Sequence, residues 1–403
     1  MVQIAGMFEV AAADIALLGD EDLRSLVALL CEAEVRKLGL PPSYVTWGGN
    51  QDAGDGGLDV RVALPPSVPT CGFVPRPATG FQVKKPKMPR EKILAEMRPK
   101  PENFLRPVIR ELVDQVGAYI IISAESTSDS VLRNRIKAMV DGVGDLANAK
   151  DLTLDYYDAS RVATWVRQHA GLIVWVRERI GKAYRGWRPY GAWANAAEGT
   201  SAEYLLDDAF RVQTRNTKPE GGLPALGGLN HIRDLLSTSG KVGRLAGLSG
   251  VGKTRFVQAL FDDRYGERAL DPSIALYTNM ADDPEPQPVG MASRLVAARE
   301  RAILVIDNCP PDLHSRLSEV CRSPGSTVSV ITVEYDIRED QPEGTEVFRL
   351  QPSSDELIEK LVSLRFPEVS IVDARSIAGV SGGNAKIALA IAGTIARTRR
   401  LQV

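Results

Sequence analysis

Cysteine and histidine are scarce in this chain. Its 403 residues hold four cysteines, Cys31, Cys71, Cys309 and Cys321, and three histidines, His169, His231 and His314. No two cysteines stand in C-x-x-C spacing. That excludes the usual zinc and disulfide frameworks and fits reduced thiols in a cytosol. The scattered histidines speak against a histidine-rich metal centre. An excess of one charge is also missing: 49 Lys/Arg against 51 Asp/Glu leave a net −2. Any hold on nucleic acid must therefore come from local patches, not from a general basic coat. No apolar run approaches the roughly 18 residues of a membrane span, so no membrane segment is expected. The first residues lack a basic stretch followed by an apolar one. Asp14, Asp20, Glu21 and Asp22 arrive early, so no signal peptide is read. No internal repeat of roughly 20–50 residues is visible.

What is present is an ordinary globular composition, 44% hydrophobic and 25% charged, with length enough for two domains. A helix is expected over 21–38, ending at Gly39 before Pro41 and Pro42. Leu23, Leu26, Val27, Leu30 and Leu38 fall on one face of it, and Glu34 shares that face. A carboxylate there is costly unless paired or bound to metal. A turn rich in Gly, Asn and Asp covers 48–57. A strand at 58–64, a Pro-rich excursion at 65–77 and a strand at 81–84 follow. Residues 84–110 carry nine Lys/Arg against three Glu. The run A-Y-I-I-I-S-A at 118–124 reads as a buried central strand. The polar run 125–130 caps a helix bearing Arg133, Arg135 and Lys137. A strand at 152–157 and a helical pair ending near Arg188 complete a first domain, 1–212. Pro219, Gly221, Gly222 and Pro224 mark a linker over 213–226. The second domain, 227–403, is again α/β, with strands at 242–246, 303–306 and 327–333 and small helices over 355–399.

Residues 247–254 read G-L-S-G-V-G-K-T, after an expected strand and before an expected helix. In G-x-x-x-x-G-K-[ST], glycines let backbone N–H groups curl around phosphates, and the next helix adds its positive end. Gly247, Gly250 and Gly252 shape the loop. Lys253 is expected to reach the β- and γ-phosphates, and Thr254 to hold Mg²⁺. Asp307, ending the apolar strand Ile303-Leu304-Val305-Ile306, is expected to hold Mg²⁺ through water. Asn308 follows, where an efficient ATPase often has a second carboxylate. An amide is no base, so slow hydrolysis or a nucleotide-reading switch is expected.

A second constellation lies upstream. Phosphodiester cleavage needs hard oxygen ligands and a lysine beside the scissile phosphate. Asp59 on one strand and Gln82-x-Lys84 on the next fit the PD-(D/E)xK arrangement, because period-2 alternation puts Gln82 and Lys84 on one face. Glu34 completes the expected ligand set, with Glu32 competing for that role and Asp55 a further candidate. The bland reading places Asp59 in a turn and Lys84 on a solvated edge. The run 84–110 is either a solvated face or a phosphate-neutralising one. In the basic and aromatic stretch 165–193, Trp165 and Trp175 are expected in the core. Trp187 and Tyr190 are candidates for base stacking.

The second half, on G-L-S-G-V-G-K-T, V-I-D-N and I-T-V-E-Y-D, resembles STAND-type signal-transducing NTPases, relatives of AAA+ and NB-ARC modules. Its tail S-G-G-N-A-K-I-A-L-A-I is similar to their helical lid. Two departures stand out. Family members often carry a Thr-Thr-Arg sensor, but here Thr332 is followed by Val333 and Glu334. They also usually continue into a winged helix and a repeat sensor, whereas the sequence stops at Val403. The resemblance implies that it is a fragment or that sensing lies in another subunit.

The first half, on G-D-G-G-L-D-V and F-Q-V-K-K, resembles Mrr-like restriction endonucleases. That implies Asp59 and Gln82 as metal ligands and Lys84 as the catalytic lysine. The whole resembles antiviral STAND (Avs) proteins with nuclease effectors. The implied fold is a restriction-endonuclease-like α/β domain followed by a P-loop domain with a small helical lid. The implied activity is Mg²⁺-dependent DNA cleavage under ATP control in the cytoplasm. Homo-oligomers would form on activation, set off by a phage-derived trigger or a sensor subunit. Two rivals stay open: a nucleotide-switch scaffold that only binds nucleic acid, and a DNA motor, disfavoured by Asn308.

Overall fold

Alternating and continuous apolar runs build two mixed sheets. A computed structural model describes residues 8–48, 57–70, 72–190, 210–214, 221–334 and 343–400. Asp55, Cys71, Trp193, Tyr335 and Asp336 lie outside these, as do 215–220 of the expected linker. Two compact units result, Met1–Ala183 and Tyr184–Val403.

The first unit begins with helices α1 (Ala12–Leu17) and α2 (Asp20–Lys37). Acidic residues Asp20, Glu21 and Asp22 occupy the first turn of α2 and Arg36 and Lys37 its last. Both ends thus complement the helix dipole. Leu23, Leu26, Val27 and Leu30 are fully buried, as their spacing predicts. Leu38 is not part of that face. It lies one residue past the helix and is 40% exposed.

The sheet then runs β1 (Val45–Trp47), β2 (Val60–Ala63), β3 (Ala78–Lys84), β4 (Ala118–Ser123) and β5 (Thr153–Tyr157), side by side in chain order. The pairs β1–β2 and β2–β3 are antiparallel, and β3–β4 and β4–β5 are parallel. Every residue of β4 is buried, as its apolar run predicts. Helices α3 (Arg90–Met97), α4 (Pro107–Asp114) and α5 (Asp129–Val143) cover one face, and α6 (Ala159–Val166) and α7 (Ala170–Arg179) join α2 on the other. Two separate cores record this division. Leu23, Leu26, Phe81, Val83, Ile120 and Trp165 pack in one. Ile93, Met97, Leu112, Tyr119 and Ile121 pack in the other.

The second unit carries β6 (Trp187–Pro189), β7 (Arg211–Gln213), β8 (Leu223–Pro224), α8 (Ala225–Ser237), β9 (Val242–Ala246), α9 (Lys253–Ala259) and β10 (Ala275–Asn279). Then come α10 (Pro288–Ala298), β11 (Ala302–Asp307), α11 (Pro311–Cys321), β12 (Val328–Val333) and β13 (Glu346–Leu350). Strand order is β6-β10-β11-β12-β9-β13-β7-β8, with β10 to β13 mutually parallel where they pair with one another or with β9. Helices α12 (Asp355–Arg365), α13 (Ile371–Ser381) and α14 (Ala385–Arg400) form a bundle with its own core of Ile358, Val362, Ile377 and Ala388.

The described residues 184–190 and 210–212, expected with the first domain, belong to this second unit. Strand β6 pairs antiparallel with β10, and β7 with β13. Three-residue strands are too short to show a period, so the Pro/Gly cluster after them was the stronger boundary signal. The same placement corrects the stacking expectation. Trp187 is 3% exposed and its Nε1 donates to the Pro286 carbonyl at 2.8 Å. Tyr190 packs on Phe261, ring centroids 5.3 Å apart. Neither presents a free ring. Trp165 and Trp175 are buried, as expected.

Candidate functional sites

Strand β9 sits between β12 and β13, and its C-terminal end delivers the chain into the loop 247–254. Gly247, Gly250 and Gly252 adopt φ of 152°, 85° and 92°. At 85° and 92° the backbone is left-handed, where a side chain would be strained. Lys253 is 7% exposed, and its Nζ donates to the carbonyls of Gly247 and Leu248, both at 2.7 Å. Burial lowers its pKa, and the nearby Asp307 carboxylate opposes that.

Asp307 ends β11, one strand beyond β12. Its Oδ2 accepts from Thr254 Oγ1 at 2.8 Å and from the Tyr277 hydroxyl at 3.2 Å. Its Oδ1 accepts from the Asn308 backbone N–H at 2.9 Å. A hydroxyl and a carboxylate in contact beside a phosphate-type loop form the hard-oxygen donor set that suits Mg²⁺. Tyr277 was not legible as part of this set, because it reaches Asp307 only through the parallel register of β10 on β11. Burial and Asp307 both push its pKa up, so the phenol stays a donor. Asn308 has φ 54°, and its side chain donates to Asn279 Oδ1 at 2.8 Å.

The expected sensor position is inverted in charge. Glu334 follows β12, 1% exposed, and its Oε2 accepts from Arg244 Nε of β9 at 2.6 Å. Its Oε1 accepts from Thr332 Oγ1 at 3.0 Å, and Thr332 touches His314 Nδ1 at 2.7 Å. The two residues directly after Thr332 are Val333 and Glu334, not an arginine. The guanidinium beside them comes from the neighbouring strand and is spent on Glu334.

In the first unit, Asp59 and Gln82 meet. Asp59 Oδ2 accepts from Gln82 Nε2 and from the Val83 backbone N–H, both at 2.7 Å. Gln82 is 4% exposed, and its Oε1 is buried without a hydrogen-bond partner. A buried acceptor left empty costs about 1–3 kcal/mol, so a cation or water there would be favoured. Lys84 lies on the same face of β3. Its Nζ pairs with Glu96 Oε2 of α3 at 3.2 Å, and Glu96 Oε1 also takes Arg106 at 3.0 Å. Tyr119, the residue of β4 opposite Gly80, points to that face too. Its hydroxyl is buried and without a hydrogen bond. Burial raises its pKa, and Glu96 and Asp59 add to the rise.

Glu34 does not join them. It stands on α2, across the sheet from the face that carries Gln82 and Lys84. Its Oε1 accepts from Trp165 Nε1 at 2.9 Å and from Lys37 at 2.9 Å, and lies 3.5 Å from His169 Nε2. Burial works against the charge, but these donors win and hold the pKa at about 2. The spacing argument correctly gave Glu34 an inward face that needs a partner. The partner is an indole and two bases, not a metal shared with Asp59. Among the described residues no group of three or more His, Cys, Asp or Glu side chains could hold a metal ion.

The basic run is partly consumed in internal ties. Arg90 pairs with Asp141 at 2.5 Å, Arg98 holds the carbonyls of Gly142 and Val143, and Arg106 holds Glu96. Lys85, Lys87, Lys92, Lys100 and Arg110 remain exposed. A groove of about 1000 Å³ is lined by Trp47, Gly57, Leu58, Arg61 and Arg106 among others. No described helix is long and apolar enough to cross a membrane.

No protein-family model and no curated protein matches the chain. Among solved structures it is similar to a signal transduction ATPase with numerous domains (STAND) that has a tetratricopeptide repeat sensor, from Pyrococcus horikoshii. That match has 15% identity over 46% of this chain and a TM-score of 0.26, and it spans 30% of the other chain. It is also similar to the HORMA:CdnC:Trip13 complex of E. coli MS115-1, with 12% identity over 44% of this chain and 82% of that one, and a TM-score of 0.28.

Proposed function

We propose that the chain is a nucleotide-controlled effector. The second unit binds ATP with Mg²⁺, and the first is a Mg²⁺-dependent endodeoxyribonuclease held under that control. The observation that carries the nucleotide half is the contact of Thr254 with Asp307 beside the buried Lys253. ATP would lay its phosphates along the loop amides, with Lys253 and the start of α9 as their positive partners. Mg²⁺ would sit on Thr254 and Asp307. Asn308 supplies no base, so turnover is slow and the bound nucleotide acts as a signal.

The nuclease half is supported by the unfilled Gln82 Oε1 beside Asp59, with Lys84 on the same face. Mg²⁺ held there by Asp59 and Gln82 would polarise the scissile phosphate. Lys84 would then act on the attacking water. Trp47, Arg61 and Arg106 in the groove, with the exposed lysines of 84–110, would hold the DNA strand. Assembly of protomers on ATP binding would raise the local concentration of cleavage sites. A phage-derived trigger or a sensor subunit in an antiviral system fits this plan.

One observation favours a second reading, a scaffold that binds nucleic acid without cutting it: Lys84 is engaged by Glu96, and Glu34 stands apart from Asp59. Plasmid cleavage with Mg²⁺, with and without ATP, separates the two. Cutting that is lost in Lys84→Ala and becomes ATP-independent or absent in Lys253→Ala is the expected result. Mg²⁺-independent DNA binding with no cutting, in the presence of trigger components as well, would establish the scaffold.

A further inference from the structure

In the first unit, one carboxylate is shared by two cations. Glu96 Oε2 stands 3.2 Å from Lys84 Nζ, and its Oε1 accepts from Arg106 Nη2 at 3.0 Å. Arg106 is also anchored apart from that contact. Its Nε donates to the Glu96 backbone carbonyl at 2.6 Å. Its guanidinium lies against Gly57, where a Cβ would stand 2.7 Å from Nη1. The arginine therefore keeps its place whatever the Glu96 side chain does. Its side chain is 28% exposed and lines the groove that holds Trp47 and Arg61.

Two oxygens of one anion on two cations is also what a DNA phosphate offers. Glu96 thus stands where a phosphate would. Arg61 is held in the same manner: it pairs with Glu111 at 2.6 Å, and Glu111 lines the groove as well. The chain's own carboxylates neutralise both groove arginines. A place for a displaced Glu96 is at hand. The Tyr119 hydroxyl is buried and has no hydrogen bond, and of the charges around it Glu96 acts on it most strongly. A buried donor without an acceptor is costly, so a carboxylate that turns to it is stabilised.

We propose that Arg106 seats the DNA phosphate beside Lys84, and that Glu96 holds this seat in the free chain as a stand-in for the phosphate. This rests on the reading of the first unit as a nucleic-acid-binding domain. The incoming phosphate takes Arg106. Glu96 turns to the Tyr119 hydroxyl, and Lys84 loses the carboxylate that holds it and becomes available to the attacking water. The Lys84–Glu96 pair is then the resting state of a nuclease that DNA itself unlocks.

The test is fluorescence anisotropy of a labelled DNA duplex with the full chain, without divalent metal so that nothing is cut, over a series of salt concentrations. Glu96→Gln keeps the size and gives up the charge. It is expected to tighten binding roughly tenfold, the scale of one hydrogen bond to a charged group. Glu102→Gln, at an exposed position of the same basic run, is expected to change it less than about twofold. Arg106→Ala should reduce the slope of log K against log salt by about 0.9, one phosphate contact. Tyr119→Phe removes the receiving hydroxyl. It should weaken binding about threefold in the unsubstituted chain and not at all in the Glu96→Gln background. Glu96→Gln no tighter than Glu102→Gln, or a slope unchanged by Arg106→Ala, would overturn the proposal. Thermal melts accompany each variant. Should Glu96→Gln melt lower, Tyr119→Phe decides, since its lost hydroxyl has no hydrogen bond to break; an equal loss in both backgrounds overturns the proposal. If neither the unsubstituted chain nor Glu96→Gln binds the duplex, the nucleic-acid reading itself fails and the proposal with it. If both bind equally tightly, the proposal alone fails.

Discussion

The phosphate-type loop and the Asp59 cluster were both read from sequence, and they fared differently. The loop is contiguous. Its chemistry comes mostly from backbone N–H groups whose placement follows from glycines and from the strand and helix on either side. Every residue expected there meets its neighbours: Lys253 on the loop carbonyls, Thr254 on Asp307. The Asp59 cluster is assembled from side chains on separate elements. There the structure brings together Asp59 and Gln82, ties Lys84 to Glu96, and takes Glu34 away. Local chemistry is legible in a string of residues. Chemistry distributed over a sheet and its helices needs to know which face each element covers.

The largest effect that would break this comparison is at Lys253. On the proposed nucleotide reading, Lys253→Ala is expected to weaken ATP binding by two or more orders of magnitude, because a buried cation turned onto phosphates would be worth several kcal/mol. Filter binding of radiolabelled ATP checks it. Retained binding would mean that the loop is only a Gly-rich turn, and the contrast with the first unit would vanish.

Next comes the buried pair Arg244–Glu334, 2% and 1% exposed. Removing one member leaves a charge without its partner, a loss of about 3–5 kcal/mol. Arg244→Met is expected to lower the melting temperature of the second unit by roughly 10 °C. The double substitution Arg244→Met with Glu334→Leu should recover much of it. A double variant no better than Arg244→Met would show that His314 and Thr332, not Arg244, hold Glu334 in place. It would also detach the sensor position from β9.

Much of the fold was legible because the apolar patterns were long. The run at 118–124 became β4, every residue buried. The i, i+3, i+4 spacing of 21–38 became α2. Short or edge elements were not legible. Trp187-Arg188-Pro189 forms an edge strand of the second sheet, and three residues carry no period to distinguish that from a loop with free aromatics. For the site, period two correctly put Gln82 and Lys84 on one face. It could not tell that α2 packs on the opposite one, beside Phe81 and Val83. Glu96, twelve positions after Lys84 and on α3, had no signal at all, since nothing in its neighbourhood distinguishes it from other charges of a basic run.

The smallest expected effect sharpens the comparison most, because it assigns two glutamates to opposite roles. Glu34→Gln should leave Mn²⁺ binding in the first unit unchanged and lower stability. Glu96→Gln removes the partner of Lys84 and Arg106, so it should alter cleavage while leaving Mn²⁺ binding by Asp59 and Gln82 in place. The pH dependence gives the sign. Glu34 has its pKa depressed from 4.5 to about 2 in the folded chain. Its contribution is therefore fully present above pH 4.5 and is lost as pH falls toward 2, because the unfolded carboxylate takes up its proton first. The melting-temperature gap between the unsubstituted chain and Glu34→Gln should be widest above pH 4.5 and should close through that window. Nearly half of the Lys37 side chain is exposed, so solvent screens part of this ion pair and the gap should be only a few degrees. A gap independent of pH would show that Trp165 and His169 bind the glutamine as well as the carboxylate. Loss of Mn²⁺ binding in Glu34→Gln would bring Glu34 back to Asp59 and dissolve the contrast between the two sites.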